Sequence, residues 1–154
     1  MKKRLCTVVL ALLLMALASA SAAPNLRAGL ISSAKQALVS LAAGDYEGVS
    51  ARLPFSGDAP DAAEWARFAR NFSGLKNVQT QYAVAYWKGG WRVAVPVQAP
   101  QSGNVEALML LSGDGAAFDG YKYVTWSQVE KDYASSEKIL WDQEYVGSAA
   151  KVYN

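Results

Sequence analysis

The chain has 154 residues, of which 52% are apolar and 11% aromatic, with 15 basic and 13 acidic side chains, one Cys and no His. That length suits one compact domain with one core. The absence of His excludes Ser-His-Asp and Cys-His nucleophiles, and with a single Cys it nearly excludes zinc, whose sites rely on Cys and His with carboxylates in support.

Met1-Lys2-Lys3-Arg4 leads into the apolar run Leu5 to Leu17, which ends in the small-residue stretch Ala18 to Ala23. A basic start, a short apolar core and small residues at Ala20-Ser21-Ala22 predict an export signal over 1–22, with a single mature domain over 23–154. The apolar run is shorter than the roughly 20 residues of a membrane span, so no stable span is expected after cleavage. Cys6 precedes the apolar core and leaves with the signal. A periplasmic or secreted protein without a lipid anchor and without disulfides is expected. Loss of Lys2, Lys3 and Arg4 leaves 12 basic against 13 acidic side chains, a near-neutral domain. Such a domain lacks the basic stripe that nucleic acid requires.

Leu26, Leu30, Ala34, Leu38 and Leu41 recur at helical spacing and predict a first amphipathic helix ended by Gly44. Asp45 stands where an N-cap belongs, with a short helix running to Leu53 before Pro54. Asp61-Ala-Ala-Glu64 has capping-box spacing. It predicts a third helix with Trp65, Phe68, Ala69 and Phe72 on one face, stopping near Ser73-Gly74.

The period changes to 2 at Val78, predicting a strand through Tyr82, Val84 and Tyr86. A two-residue turn at Gly89-Gly90 would place Tyr86 opposite Val93, Val84 opposite Val95 and Trp87 opposite Arg92, whose guanidinium would lie on the indole. Beyond a polar loop around Pro100 to Gly103, Val105 to Leu111 and Phe118 to Thr125 read as a second hairpin. A turn at Asp114-Gly115 would set Leu111 against Phe118 and Leu108 against Tyr121, with Gly120 marking a bulge or bend. Ser127-Gln-Val-Glu130 has capping-box spacing and opens a C-terminal helix expected over about 127–145.

Helices around Gly44-Asp45-Tyr46, followed by a meander ending in Gly120-Tyr121-Lys122-Tyr123, resemble the nuclear-transport-factor-2-like (NTF2-like) superfamily across Leu26 to Thr125. The resemblance implies an α+β fold in which N-terminal helices pack on a curved antiparallel sheet to form a cone, here with an added C-terminal helix. That helix would close the open end or pack on a second copy in a homodimer. A cystatin-like helix-plus-sheet arrangement, or a small helix-covered antiparallel sheet of another topology, is the alternative. The cone carries enzymes, binding modules and assembly domains, so it does not choose among functions.

Tyr82, Tyr86, Tyr121 and Tyr123, with Trp65 on a covering helix, are candidates for lining a small apolar ligand, against the simpler reading of a packed core. Trp87, Trp91 and Arg92 beside the glycine turn are candidates for a protruding tip that binds a protein partner. An acid-base scheme resembling ketosteroid isomerase would need a Tyr hydroxyl and shifted carboxyl groups, with Asp45 or Asp119 near the pocket. Capping and solvation explain both aspartates more simply. No catalytic residue set, metal or cofactor is expected. The reading is an exported binding or assembly module, with the isomerase-like enzyme and a toxin-neutralising or secretion-associated protein as alternatives.

Overall fold

A computed structural model describes residues 23–78, 82–98 and 105–141. The expected export signal over 1–22, part of the expected first strand at 79–81, the loop at 99–104 and the chain from 142 onward lie outside the described residues. The fold is α+β.

The helical half follows its caps. Helix α1 spans Gly29–Ala43 and buries Leu30, Ala34, Ala37, Leu38 and Leu41, one face of a 3.6-residue period. Gly44 ends it at φ 73°, a left-handed conformation that glycine adopts without strain. The Asp45 carboxylate then accepts the Gly48 N–H at 3.0 Å and starts α2, Tyr46–Arg52, which stops before Pro54. Helix α3, Ala62–Ala69, opens on the expected capping box, in which Glu64 N–H donates to Asp61 Oδ1 at 2.8 Å and Asp61 N–H donates to Glu64 Oε2 at 3.0 Å. It ends four residues before Ser73, short of the expected stop.

Strands β1 (Val84–Trp87), β2 (Trp91–Pro96), β3 (Glu106–Ser112) and β4 (Gly120–Thr125) form an antiparallel meander. Helix α4, Trp126–Ala134, follows, and β5, Lys138–Trp141, returns to pair antiparallel with β1, giving the sheet order β4-β3-β2-β1-β5. The sheet is the middle layer. On one face Ala85, Trp91, Val93, Val95, Leu108 and Leu110 join the buried residues of α1, α2 and α3. On the other, Val84, Tyr86, Ala94, Ala107, Met109 and Val124 pack under Trp126, Val129 and Tyr133 of α4.

Four expectations are corrected. The C-terminal helix does not extend over 127–145. It stops at Ala134, where the Ser135 and Ser136 hydroxyls donate to the carbonyls of Asp132 and Tyr133, and Glu137 N–H donates to Trp87 O to start β5. Its cap sits two residues earlier than expected, with the Gln128 side chain reaching back to the Thr125 N–H at 3.0 Å. The β1–β2 connection is a three-residue loop, Lys88-Gly89-Gly90, with Gly89 at φ 64°, so Tyr86 lies opposite Arg92 and Trp87 opposite Trp91. A slip of one residue exchanges the faces. The β3–β4 connection is also longer than a tight turn: Leu111 lies opposite Gly120 and Leu108 opposite Tyr123. Ser112 and Asp114 organise that loop, with the Ser112 hydroxyl donating to Ala117 O and the Asp114 carboxylate accepting the Ala116 and Ala117 N–H groups.

Candidate functional site

Three of the five residues considered for ligand binding come together. Trp65 of α3 is fully buried and lies with its ring centroid 4.5 Å from Tyr121, 5.7 Å from Phe68 and 6.4 Å from Phe55. Phe72 meets Tyr123 edge-on at 5.0 Å. At these separations the rings fill the space between α3 and β4 with one another. The band is packed core at its Trp65 end and half-buried at Tyr121 and Tyr123.

Tyr86 is on the opposite face, fully buried under α4 with its ring 6.1 Å from Tyr133. Tyr82 is half-buried just ahead of β1. The sheet therefore separates Tyr86 from the Trp65 band, and the five residues do not line one space. Trp87, Trp91 and Arg92 are divided in the same way. Trp91 is 1% exposed and core, Trp87 is half-buried and meets it edge-on at 5.7 Å, and Arg92 points to the α4 side. The expected guanidinium-on-indole pair does not form, because the three-residue loop puts the two side chains on different faces.

Beneath α4, Asp132 accepts Arg92 Nη1 at 2.6 Å and Lys88 Nζ at 2.8 Å, with the Tyr86 hydroxyl at 3.4 Å. The Lys88 hydrogen bond and the two cations outweigh burial and hold the Asp132 carboxyl below its usual range. Burial, then the Asp132 charge, pushes the Tyr86 phenol up to about 12. These directions keep Asp132 charged and Tyr86 neutral, the reverse of an acid poised to share a proton. Because the unfolded phenol titrates near 10, the neutral folded form contributes stability that is complete below pH 10 and lost as pH rises toward 12. Urea unfolding is expected to show the wild type losing about 2–3 kcal/mol relative to Tyr86→Phe across that interval. Parallel curves for the two proteins would contradict the assignment.

The other organised carboxylate is Glu106, at the start of β3. It accepts the N–H groups of Ser73 and Gly74, the Ser73 hydroxyl at 2.9 Å and the Tyr123 hydroxyl at 3.1 Å. Sequence reasoning missed it, since its partners stand 32 residues back and 17 ahead. Burial raises its pKa, but the backbone and hydroxyl donors outweigh burial and hold the carboxyl below 4.5. That contribution is present above pH 4.5 and disappears as pH falls through the folded value. Glu106→Gln is expected to cost about 1–2 kcal/mol at pH 7 and much less at pH 3, measured by urea unfolding at both.

The two aspartates considered for acid-base chemistry have local roles. Asp45 caps α2, and Asp119 accepts the Gly113 N–H at 2.7 Å to close the β3–β4 loop. Among the described residues no three His, Cys, Asp or Glu side chains gather to hold a metal. No helix among them is long and apolar enough to cross a membrane.

A recess of about 280 Å³ opens between the start of α1 and the end of α2, lined by Arg27, Leu30, Ser33, Arg52, Leu53 and Pro54 among others. Leu30 and Leu53 are buried at its base, while Arg27 and Arg52 are exposed. The segment carrying Arg27 is tied to the sheet: Trp91 Nε1 donates to Pro24 O at 2.7 Å and Arg27 N–H donates to Gly115 O at 2.8 Å. The sequence gives no sign of this juxtaposition, because Arg27 and Arg52 belong to different elements. No family model matches the chain, and no curated protein or solved structure is similar enough to lend it a fold or a function.

Proposed function

We propose that the chain is an exported, non-catalytic binding module whose ligand enters the recess between α1 and α2. The observation that carries this reading is the recess itself, a concavity of about 280 Å³ in which Arg27, Ser33 and Arg52 stand beside Pro54. The export part rests on the order of Lys2-Lys3-Arg4, the apolar run and Ala20-Ser21-Ala22. The NTF2-like resemblance and its cone belong to the same reading, supported by the Gly44-Asp45-Tyr46 opening and the meander of β1 to β4. The isomerase-like alternative draws support from the approach of Tyr86 to Asp132, but the cations beside Asp132 oppose it.

Two measurements test the proposal. Fractionation of an expressing cell is expected to recover the protein outside the cytoplasm, shortened by the leader. A melting screen of the exported protein against small apolar and amphipathic compounds is expected to find ligands that raise Tm, with the rise abolished by Ser33→Trp, which fills the recess. Turnover of enolisable substrates by the wild type, lost in Tyr86→Phe, would replace the binding module with an enzyme.

A further inference from the structure

The chain ahead of α1 is held to the core at four consecutive residues. The Pro24 carbonyl accepts the indole N–H of Trp91, itself 1% exposed, at 2.7 Å, and the Arg27 N–H donates to Gly115 O at 2.8 Å. Between them the Asn25 carbonyl lies so close to Gly115 that a Cβ built there would come within 2.5 Å of it, and Leu26 packs against the helical core cluster. Helix α1 depends on this strap for its start. No side chain caps it at Ala28 and its first turn carries no acid, so the turn that opens it, Leu30 N–H to Arg27 O at 3.0 Å, begins on a residue the strap fixes. Ala23 and Pro24 directly follow the small-residue run in which the leader is expected to be cut, after Ala22. A protease takes its substrate as an extended segment whose backbone on both sides of the cut is free to pair with the enzyme. Pro24 is the second residue after that bond, and its carbonyl is already spent on Trp91.

We propose that the seated strap is a gate on maturation: a leader peptidase hydrolyses the Ala22–Ala23 bond only while residues 24–27 are unseated, and seating them closes the site. Water adds across the peptide bond, leaving a carboxylate on Ala22 and an ammonium group on Ala23. The inference rests on the reading of residues 1–22 as an export leader. A strap held by two hydrogen bonds at the uncapped end of a helix opens as a local unit, without loss of the core beneath it. Cutting of the folded chain then follows the population of the open strap. A chain that folds before it is cut keeps its leader, so maturation has to precede folding.

The full leader-bearing chain, unfolded in urea, is diluted into buffer with purified leader peptidase either present at dilution or added once folding is complete, and the products are read by intact mass. The wild type is expected to be cut at least tenfold faster in the first arm, with the product beginning at Ala23. Trp91→Phe, which removes the donor to Pro24, is expected to be cut at least fivefold faster than the wild type once folded. Arg27→Pro removes the other donor through an exposed residue and is expected to do the same, which keeps the test in force should Trp91→Phe fail to fold. Gly89→Ala, whose added Cβ meets nothing within 4 Å, is expected to match the wild type. Folded wild type cut as fast as the folding chain, or strap variants cut no faster than Gly89→Ala, would overturn the gate while the export reading stands. A product beginning beyond Pro24 would overturn it too. No cutting in either arm would overturn the gate, and full-length protein recovered from the cytoplasm on fractionation would overturn the export reading with it.

Discussion

Trp65→Ala is expected to destabilise the domain by about 3–5 kcal/mol, the cost of deleting a fully buried aromatic side chain. The indole is the hub of the band between α3 and β4, touching Phe55, Phe68 and Tyr121, and its removal leaves a void faced by three rings that are themselves anchored elsewhere. Phe68 is held by Phe72, and Phe55 by Phe118, so neither is free to swing in and fill the space. A drop in Tm on the order of 10–20 °C accompanies a loss of that size in a domain of this length. Trp65→Phe should behave very differently. It removes part of the apolar area, but it also removes Nε1, which is buried without a hydrogen-bond partner. An unpaired buried donor costs about 1–3 kcal/mol, so its deletion offsets much of the lost packing and the net change is expected to stay near 1 kcal/mol. Urea unfolding of the two variants at pH 7 separates these terms. A cost below 1 kcal/mol for Trp65→Ala would mean that the band is a loosely filled ligand cavity and not core.

The helical half of the fold was legible in the sequence because each helix carries its own punctuation within four residues. Gly44 and Asp45 end one helix and begin the next, and Asp61 with Glu64 opens the third. None of this depends on distant partners. The sheet was legible as alternation but not as register, since register depends on loop length: Lys88 joining the Gly89-Gly90 loop moves every pair in β1–β2 by one and sends Tyr86 to the α4 side. β5 reads as helix in the sequence because its three apolar residues, Ile139 to Trp141, are too few to reveal a period. Its pairing partner β1 lies about 50 residues earlier, and no local feature announces that contact.

The candidate sites divide along the same line. Trp65, Tyr121 and Tyr123 meet as the covering-helix reading implies, because α3 and β4 each present one regular face. The recess was invisible. Its two arginines are 25 positions apart, and they come together only because α1 and α2 fold back on each other at Gly44. Glu106 likewise looks like any strand-edge acid until the turn at Ser73-Gly74 is laid beside it. Both are long-range juxtapositions, which residue spacing does not encode.

Gly115→Ala is expected to cost about 3–4 kcal/mol. Gly115 has φ 75°, where an L-residue carries a penalty of roughly 1–2 kcal/mol. Its added Cβ would lie 2.5 Å from Asn25 O and 3.1 Å from the Trp91 ring. Trp91 is core and has no room to retreat, so the 24–27 segment has to move. That movement strains both bonds that hold the segment, Trp91 Nε1 to Pro24 O and Arg27 N–H to Gly115 O, each worth about 1 kcal/mol. Gly89→Ala is the matched control. Gly89 also has a positive φ, 64°, but a Cβ there meets nothing within 4 Å, so only the conformational penalty of about 1–2 kcal/mol applies. The difference between the two variants measures the close approach at Gly115 alone, and equal costs would show that the 24–27 segment is not seated as described. Urea unfolding of both variants at pH 7 reads that difference directly.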